Sequence, residues 1–139
     1  MHGDAELREL LRRVRSIAVL GIKDGADDDA FRVPRYMQAH GYRIIPVNPK
    51  LATVLGEPAK AKLAEITGGV DLVNVFRASQ HVPAHVDEIL ALSPRPLAVW
   101  LQLGIRHDEA AARLAAAGIA VVQDRCLMVE HRRLLGGAA

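Results

Sequence analysis

Tyr42-Arg-Ile-Ile-Pro-Val-Asn-Pro-Lys50 is the stretch whose reading decides the fold. Its first six residues, through Val47, form a short run dominated by apolar side chains, which reads as a buried strand. Asn48-Pro49-Lys50 then turns the chain. About one βαβ unit earlier stands a similar run, Ser16-Ile-Ala-Val-Leu-Gly21, which also ends in a turn residue. Between them, Phe31, Val33, Tyr36 and Met37 carry helical spacing; Asp27, Asp28 or Asp29 caps the helix and it stops near Gly41. Pro34 is expected in its first turn.

The same alternation extends in both directions. Asp4 caps a first helix through about Val14, with Leu7, Leu10, Leu11 and Val14 on one stripe. Asn48 to Pro58 reads as a loop with an extended piece at Thr53-Val54-Leu55, and Ala59 to Ile66 as a short helix. Val70-Asp-Leu-Val-Asn-Val-Phe76 is a strand, and Ser79 caps a helix to about Leu92. Leu97 to Leu101 is a strand, Asp108 to Ala117 a helix ended by Gly118, and Ile119 to Gln123 the last strand. Leu127 to Leu135 closes the chain as a helix, before a tail Gly136-Gly-Ala-Ala expected to be mobile. Strands alternating with helices over short connections specify right-handed crossovers. The expected fold is α/β, an open, doubly wound parallel sheet of about five strands with helices on both faces. It is Rossmann-like, and a single domain covers residues 1–139.

Composition agrees. Half of the 139 residues are hydrophobic, but only Phe31, Tyr36, Tyr42, Phe76 and Trp100 are aromatic. A core of Val, Ile, Leu and Ala is the palette of a covered parallel sheet. The net charge of +2 is no nucleic-acid signature, and no aromatic platform accompanies the basic residues. No apolar run approaches the roughly 20 residues of a membrane span. One cysteine, Cys126, excludes an intramolecular disulfide. The expected partner is a small nucleotide-type molecule rather than nucleic acid or membrane, and the expected location is the cytoplasm.

In such sheets ligands bind beyond the carboxyl ends of the strands. The loops after Leu20, Val47, Phe76, Leu101 and Gln123 are therefore the candidates. Gly21-Ile22-Lys23 offers backbone N–H groups to a diphosphate, with Lys23 and Arg32 adding charge; a plain turn with a solvated lysine reads equally well. Where a NAD site wants an acidic residue, this chain has Asn48, Pro49 and Lys50. A cation there suits a ribose carrying an additional phosphate, as in coenzyme A or NADP. Phe76 could pack on a base and Arg77 meet a phosphate, against a core aromatic and a rim arginine. Gln102 and Gly104 could line the pocket, while Trp100 reads as core. Cys126 could be a thiolate at a helix N-terminus beside Arg125, or a small buried hydrophobe. His81 and His85 are spaced i, i+4, a metal spacing that reads better as an exposed helix pair.

Taken together, Ile17-Ala-Val-Leu-Gly21, Gly41 to Lys50, Leu55-Gly-Glu57, Val70 to Arg77, Val99-Trp-Leu-Gln102 with Gly104, and Asp124-Arg-Cys126 with Val129-Glu-His131 resemble the small CoA-binding-domain proteins. These are stand-alone relatives of the CoA-binding domain in the α subunit of succinyl-CoA synthetase. The resemblance implies a diphosphate at the Gly21 loop, Lys50 near the nucleotide phosphates, and pantetheine running toward Gln102, Gly104 and Cys126. The first loop departs from the pattern: Gly21-Ile22-Lys23-Asp24 is followed by three aspartates, which oppose a polyanion. The synthetase's second domain is absent, so ligase activity is not expected. The leading expectation is a non-catalytic binder of coenzyme A or an acyl-CoA. The alternative is an enzyme, either an NADP-linked oxidoreductase or a thiol-active protein using Cys126. A homodimer or another protein partner would then supply the missing substrate region.

Overall fold

The structure is a computed structural model and describes residues 2–136. Five parallel strands form the main sheet: β1 (Ser16–Leu20), β2 (Arg43–Val47), β5 (Leu72–Val75), β6 (Ala98–Leu101) and β7 (Ala120–Val122), in the order β2-β1-β5-β6-β7. The order reverses between β1 and β5, where crossovers leave the sheet on opposite sides. Helices α1 (Asp4–Arg13), α2 (Asp29–Ala39) and α5 (Leu127–His131) cover one face. Helices α3 (Val82–Leu90) and α4 (Asp108–Ala116) cover the other. The chain is thus an open α/β Rossmann-like fold. Side chains alternate between faces as the pleat requires: Ile17 and Val19 meet α1 and α2, whereas Ala18 and Leu20 meet the α3 side.

Pro46 sits inside β2 because β2 is an edge strand, where a missing N–H breaks no ladder. Beyond β2 the chain makes a small antiparallel hairpin, β3 (Thr53–Val54) with β4 (Glu57–Pro58). Leu55 and Gly56 both have positive φ, 56° and 78°, which suits a tight hairpin turn.

Several local expectations are corrected. Gly3 rather than Asp4 precedes α1 as its cap, and Asp4 makes a two-pronged ion pair with Arg133 instead. Residues 59–66 form only a 3₁₀ turn at Leu63–Glu65, and Lys60 pairs with the β2 edge. Ser79 opens a 3₁₀ turn, Ser79–His81, and its hydroxyl accepts from the Arg106 N–H. The helix α4 starts at Asp108 as expected, and His107 before it supplies the cap through its ring nitrogen. The closing helix is α5 followed by a wider turn, Arg132–Gly136. The tail beyond Gly136 lies outside the described residues.

Pro34 is the sixth residue of α2, not in its first turn. Without an N–H it cannot donate to the Ala30 carbonyl. That carbonyl accepts the Lys23 N–H instead, at 3.2 Å. A helix defect thereby ties down the loop after β1.

Candidate functional site

At the point where the strand order reverses, a cavity of about 640 Å³ opens beyond the carboxyl ends of β1, β2 and β5. The volume suits a small-molecule ligand. Gly21 lines it. The φ of Gly21 is 88°, and a Cβ there would lie 2.9 Å from the Phe76 carbonyl oxygen. Only glycine lets the β1 and β5 loops approach this closely. Its own N–H donates to the Val47 carbonyl at 3.0 Å, so that group serves the sheet.

Asn48 builds the next wall. Its Nδ2 donates to the Ile22 carbonyl at 2.7 Å, and its Oδ1 accepts the Lys50 N–H at 2.8 Å. The Leu51 N–H closes a turn onto the Asn48 carbonyl, with Pro49 setting its first central φ. Both ends of the amide are therefore engaged. Asn48 acts by fixing the first loop and presenting Lys50. Phe76 is half-buried, one side on the core and one on the cavity, and Arg77 is exposed beside it.

The structure brings together Gly21, Lys23, Asn48, Pro49, Lys50, Phe76 and Arg77 on one cavity wall. It adds Asp24, Lys62, His81, His85 and Glu88. Lys23, Lys50, Lys62 and Arg77 pair with no carboxylate among the described residues. His81 and His85, read from sequence as an exposed pair, belong to this wall. The signal lay in their position: they follow the carboxyl end of β5, at the reversal of strand order. Among the described residues no three His, Cys, Asp or Glu side chains converge as metal ligands.

Five other candidates lie off this cavity. Ile22 is fully buried in the core. Arg32 pairs with Asp29 in a separate depression lined by Gly25 to Asp29. That depression also holds the acidic run, where Asp28 caps α2 by accepting the Ala30 N–H at 2.9 Å. Only Asp24 of the acidic loop reaches the cavity wall. Gln102 is buried, and its Oε1 accepts the Leu127 N–H at 3.2 Å. Asn74 Nδ2 lies 3.4 Å from the same oxygen, while Asn74 Oδ1 has no partner among the described residues. The Gly104 N–H donates to Asp124 Oδ1 at 2.7 Å. Cys126 is half-buried against the core at the start of α5. Trp100 is buried, its indole N–H donating to the Arg125 carbonyl at 2.8 Å.

Residues 15–132 match the family described as CoA binding domain. The uncharacterized protein YneT of Bacillus subtilis (strain 168) is 41% identical over 127 residues, covering 91% of this chain and 93% of its own length. The solved cell-free ID.343 structure from Thermus thermophilus is 46% identical with a TM-score of 0.91; the match covers 96% of this chain and 100% of that one. A hypothetical protein from Pyrococcus horikoshii OT3 is 32% identical with a TM-score of 0.91, covering 97% of this chain and 94% of that one.

Proposed function

The chain belongs to the CoA binding domain family, and from that premise we propose that it binds coenzyme A or an acyl-CoA in the cavity at the β1–β5 reversal. The observation that carries this reading is the set of four unpaired cations, Lys23, Lys50, Lys62 and Arg77, around one cavity. A soluble domain usually pairs or scatters its cations. Four facing one concavity focus a field that favors a polyanion. Coenzyme A carries a diphosphate and a ribose phosphate at its nucleotide end. Lys50, held by the Asn48 turn, takes the ribose phosphate. The Lys23 side chain, rather than the Gly21 and Lys23 N–H groups already given to the Val47 and Ala30 carbonyls, takes the diphosphate, and the apolar side of Phe76 supports the base.

Binding by itself requires no chemistry, so the role proposed is that of a CoA-binding module. Calorimetry with coenzyme A, dephospho-CoA, NADP and NAD tests it. Coenzyme A should bind most tightly, and dephospho-CoA about tenfold more weakly, as expected for one lost charge-assisted contact. Equal affinity for coenzyme A and dephospho-CoA removes the phosphate role of Lys50. Tighter binding of NADP than of coenzyme A turns the assignment toward a dinucleotide.

A further inference from the structure

The far edge of the cavity, made by the Ser79–His81 turn and α3, carries groups that phosphate binding does not need. His85 Nδ1 lies 2.6 Å from Glu88 Oε1. The two side chains are only 17% and 33% exposed, and both line the cavity. A carboxylate only accepts hydrogen bonds, so Nδ1 carries the hydrogen. The neutral ring then presents Nε2 as a lone-pair acceptor. Nε2 has no hydrogen-bond partner among the described residues.

An anion subsite would be weakened by Glu88. A proton acceptor is helped by it, because the carboxylate fixes the ring and stabilizes the imidazolium that forms. Among the described residues, none that lines the cavity carries a hydroxyl or a thiol. The base therefore has no protein nucleophile to serve, and its proton must come from what binds. With the phosphates at the β1 and β2 loops, the part of coenzyme A left to cross the cavity is pantetheine with its thiol.

We propose that His85, oriented by Glu88, takes the proton from the thiol of bound coenzyme A; this rests on the cavity being the coenzyme A site. The S–H bond breaks, its proton forms an N–H bond at Nε2, and the electron pair stays on sulfur. The products are a thiolate and an imidazolium, with no oxidant or co-reactant. The thiolate is the nucleophilic form of a thiol. Ordinary thiols ionize about two pH units above ordinary imidazoles. Pairing of the thiolate with the imidazolium formed beside it narrows that gap. The charged groups facing His85 across the cavity are Lys23 and Asp24 after β1, Lys50 after β2, Lys62 before the 3₁₀ turn, and Arg77 and His81 after β5. Asp87, on α3 itself, pairs with Arg113 of α4 and is not on the cavity wall.

The test alkylates coenzyme A with iodoacetamide in the presence of saturating Cys126→Ser protein, from about pH 5.5 to about pH 9.5. The rate of S-carbamidomethyl-CoA formation is followed by mass, beside free coenzyme A. The midpoint of the bound profile should fall at least about one pH unit below that of the free thiol. It should return to the free value in His85→Gln and part of the way in Glu88→Gln. Calorimetry on the same samples fixes occupancy. If coenzyme A does not bind, the cavity assignment fails and the inference falls with it. If it binds and the midpoint equals that of free coenzyme A, or the bound thiol never reacts, thiol activation is overturned while binding stands. A His85 that merely braces α3 would alter affinity or Tm and leave the midpoint unmoved.

Discussion

One edge of one sheet carries two opposite kinds of loop. Beyond β6 and β7 the polar groups are tied to one another: Gln102 to the start of α5, Gly104 to Asp124, the Trp100 indole to the Arg125 carbonyl, Arg125 to Glu130. Beyond β1, β2 and β5 the cations stand around a cavity with no carboxylate partners among the described residues. Folding satisfies the first half, and its side chains have little left to offer a ligand. The second half holds charges that the fold does not need. The amides do not separate the halves, since Asn48 and Gln102 are both engaged by the fold. What separates them is the charged side chains, which have carboxylate partners in one half and none among the described residues in the other.

This contrast is broken most strongly at Gly21, which belongs to both roles. Gly21→Ala must hold an L side chain at a φ of 88° and push on the Phe76 carbonyl, which is backbone and cannot swing away. Conformational strain of about 1–2 kcal/mol and overpacking of about 1–3 kcal/mol add to a loss of roughly 2–5 kcal/mol. Urea unfolding should show that loss, and calorimetry should show weakened coenzyme A binding in the protein that remains folded. Unchanged stability would mean that the β1 and β5 loops are farther apart than described.

Gln102→Ala comes next and acts on the closed half alone. It leaves the Leu127 N–H without its acceptor in a buried place, while Asn74 Nδ2 keeps the Trp100 carbonyl at 3.2 Å. The expected cost is about 2–4 kcal/mol, with one unsatisfied N–H and a small cavity both contributing. Coenzyme A affinity in the folded protein should stay within about twofold, well under 1 kcal/mol. A large loss of affinity at unchanged stability would return Gln102 to the ligand.

The fold was legible because its signals are local and repeated. Apolar runs ending in Gly21, in the Asn48 turn and in Gly104, spaced by helical stripes, admit little besides a wound parallel sheet. The site was legible only in part. Asn48-Pro49-Lys50 and Phe76-Arg77 end β2 and β5, and those two strands flank β1 at the reversal. Gln102, Gly104 and Cys126 end strands on the far side of the reversal, where α5 packs down and takes their bonding capacity. Strand order decides between the two, and it is set by crossovers that no short motif records. Arg32 was misplaced for a nearer reason: one helical turn places it beside Asp29. Pro34 was misplaced because a tertiary bond, Lys23 to Ala30, relieves a helix-interior proline of its usual penalty.

Lys50→Ala is the converse of Gln102→Ala. Lys50 is exposed and makes no ion pair among the described residues, so stability should move by no more than about 0.5 kcal/mol. Affinity for coenzyme A should fall by about 1–3 kcal/mol, and the preference over dephospho-CoA should vanish. A lost preference with retained affinity for dephospho-CoA would locate the ribose phosphate at Lys50. Equal losses for both ligands would move Lys50 to the diphosphate.

The smallest effect separates the halves by acid. His131, at the end of α5, is buried, and its Nδ1 lies 2.9 Å from the Tyr36 hydroxyl. Burial, with His40 nearby, holds its pKa below the ordinary 6.5. Below that value the unfolded chain takes up a proton that folded His131 refuses, so stability drops as pH falls, until folded His131 is itself protonated. The contribution is fully present above pH 6.5 and lost on the acid side. The Asp4–Arg133 pair titrates elsewhere: its hydrogen bond to Arg133 holds Asp4 below 3.8, so its contribution persists to lower pH. Thermal unfolding between pH 8 and pH 5 should therefore show a falling Tm in the wild type and a shallower slope in His131→Gln. The other described histidines are common to both proteins, so the difference in slope isolates His131. Identical slopes would mean that α5 opens before the sheet does, with His131 already in water when it titrates.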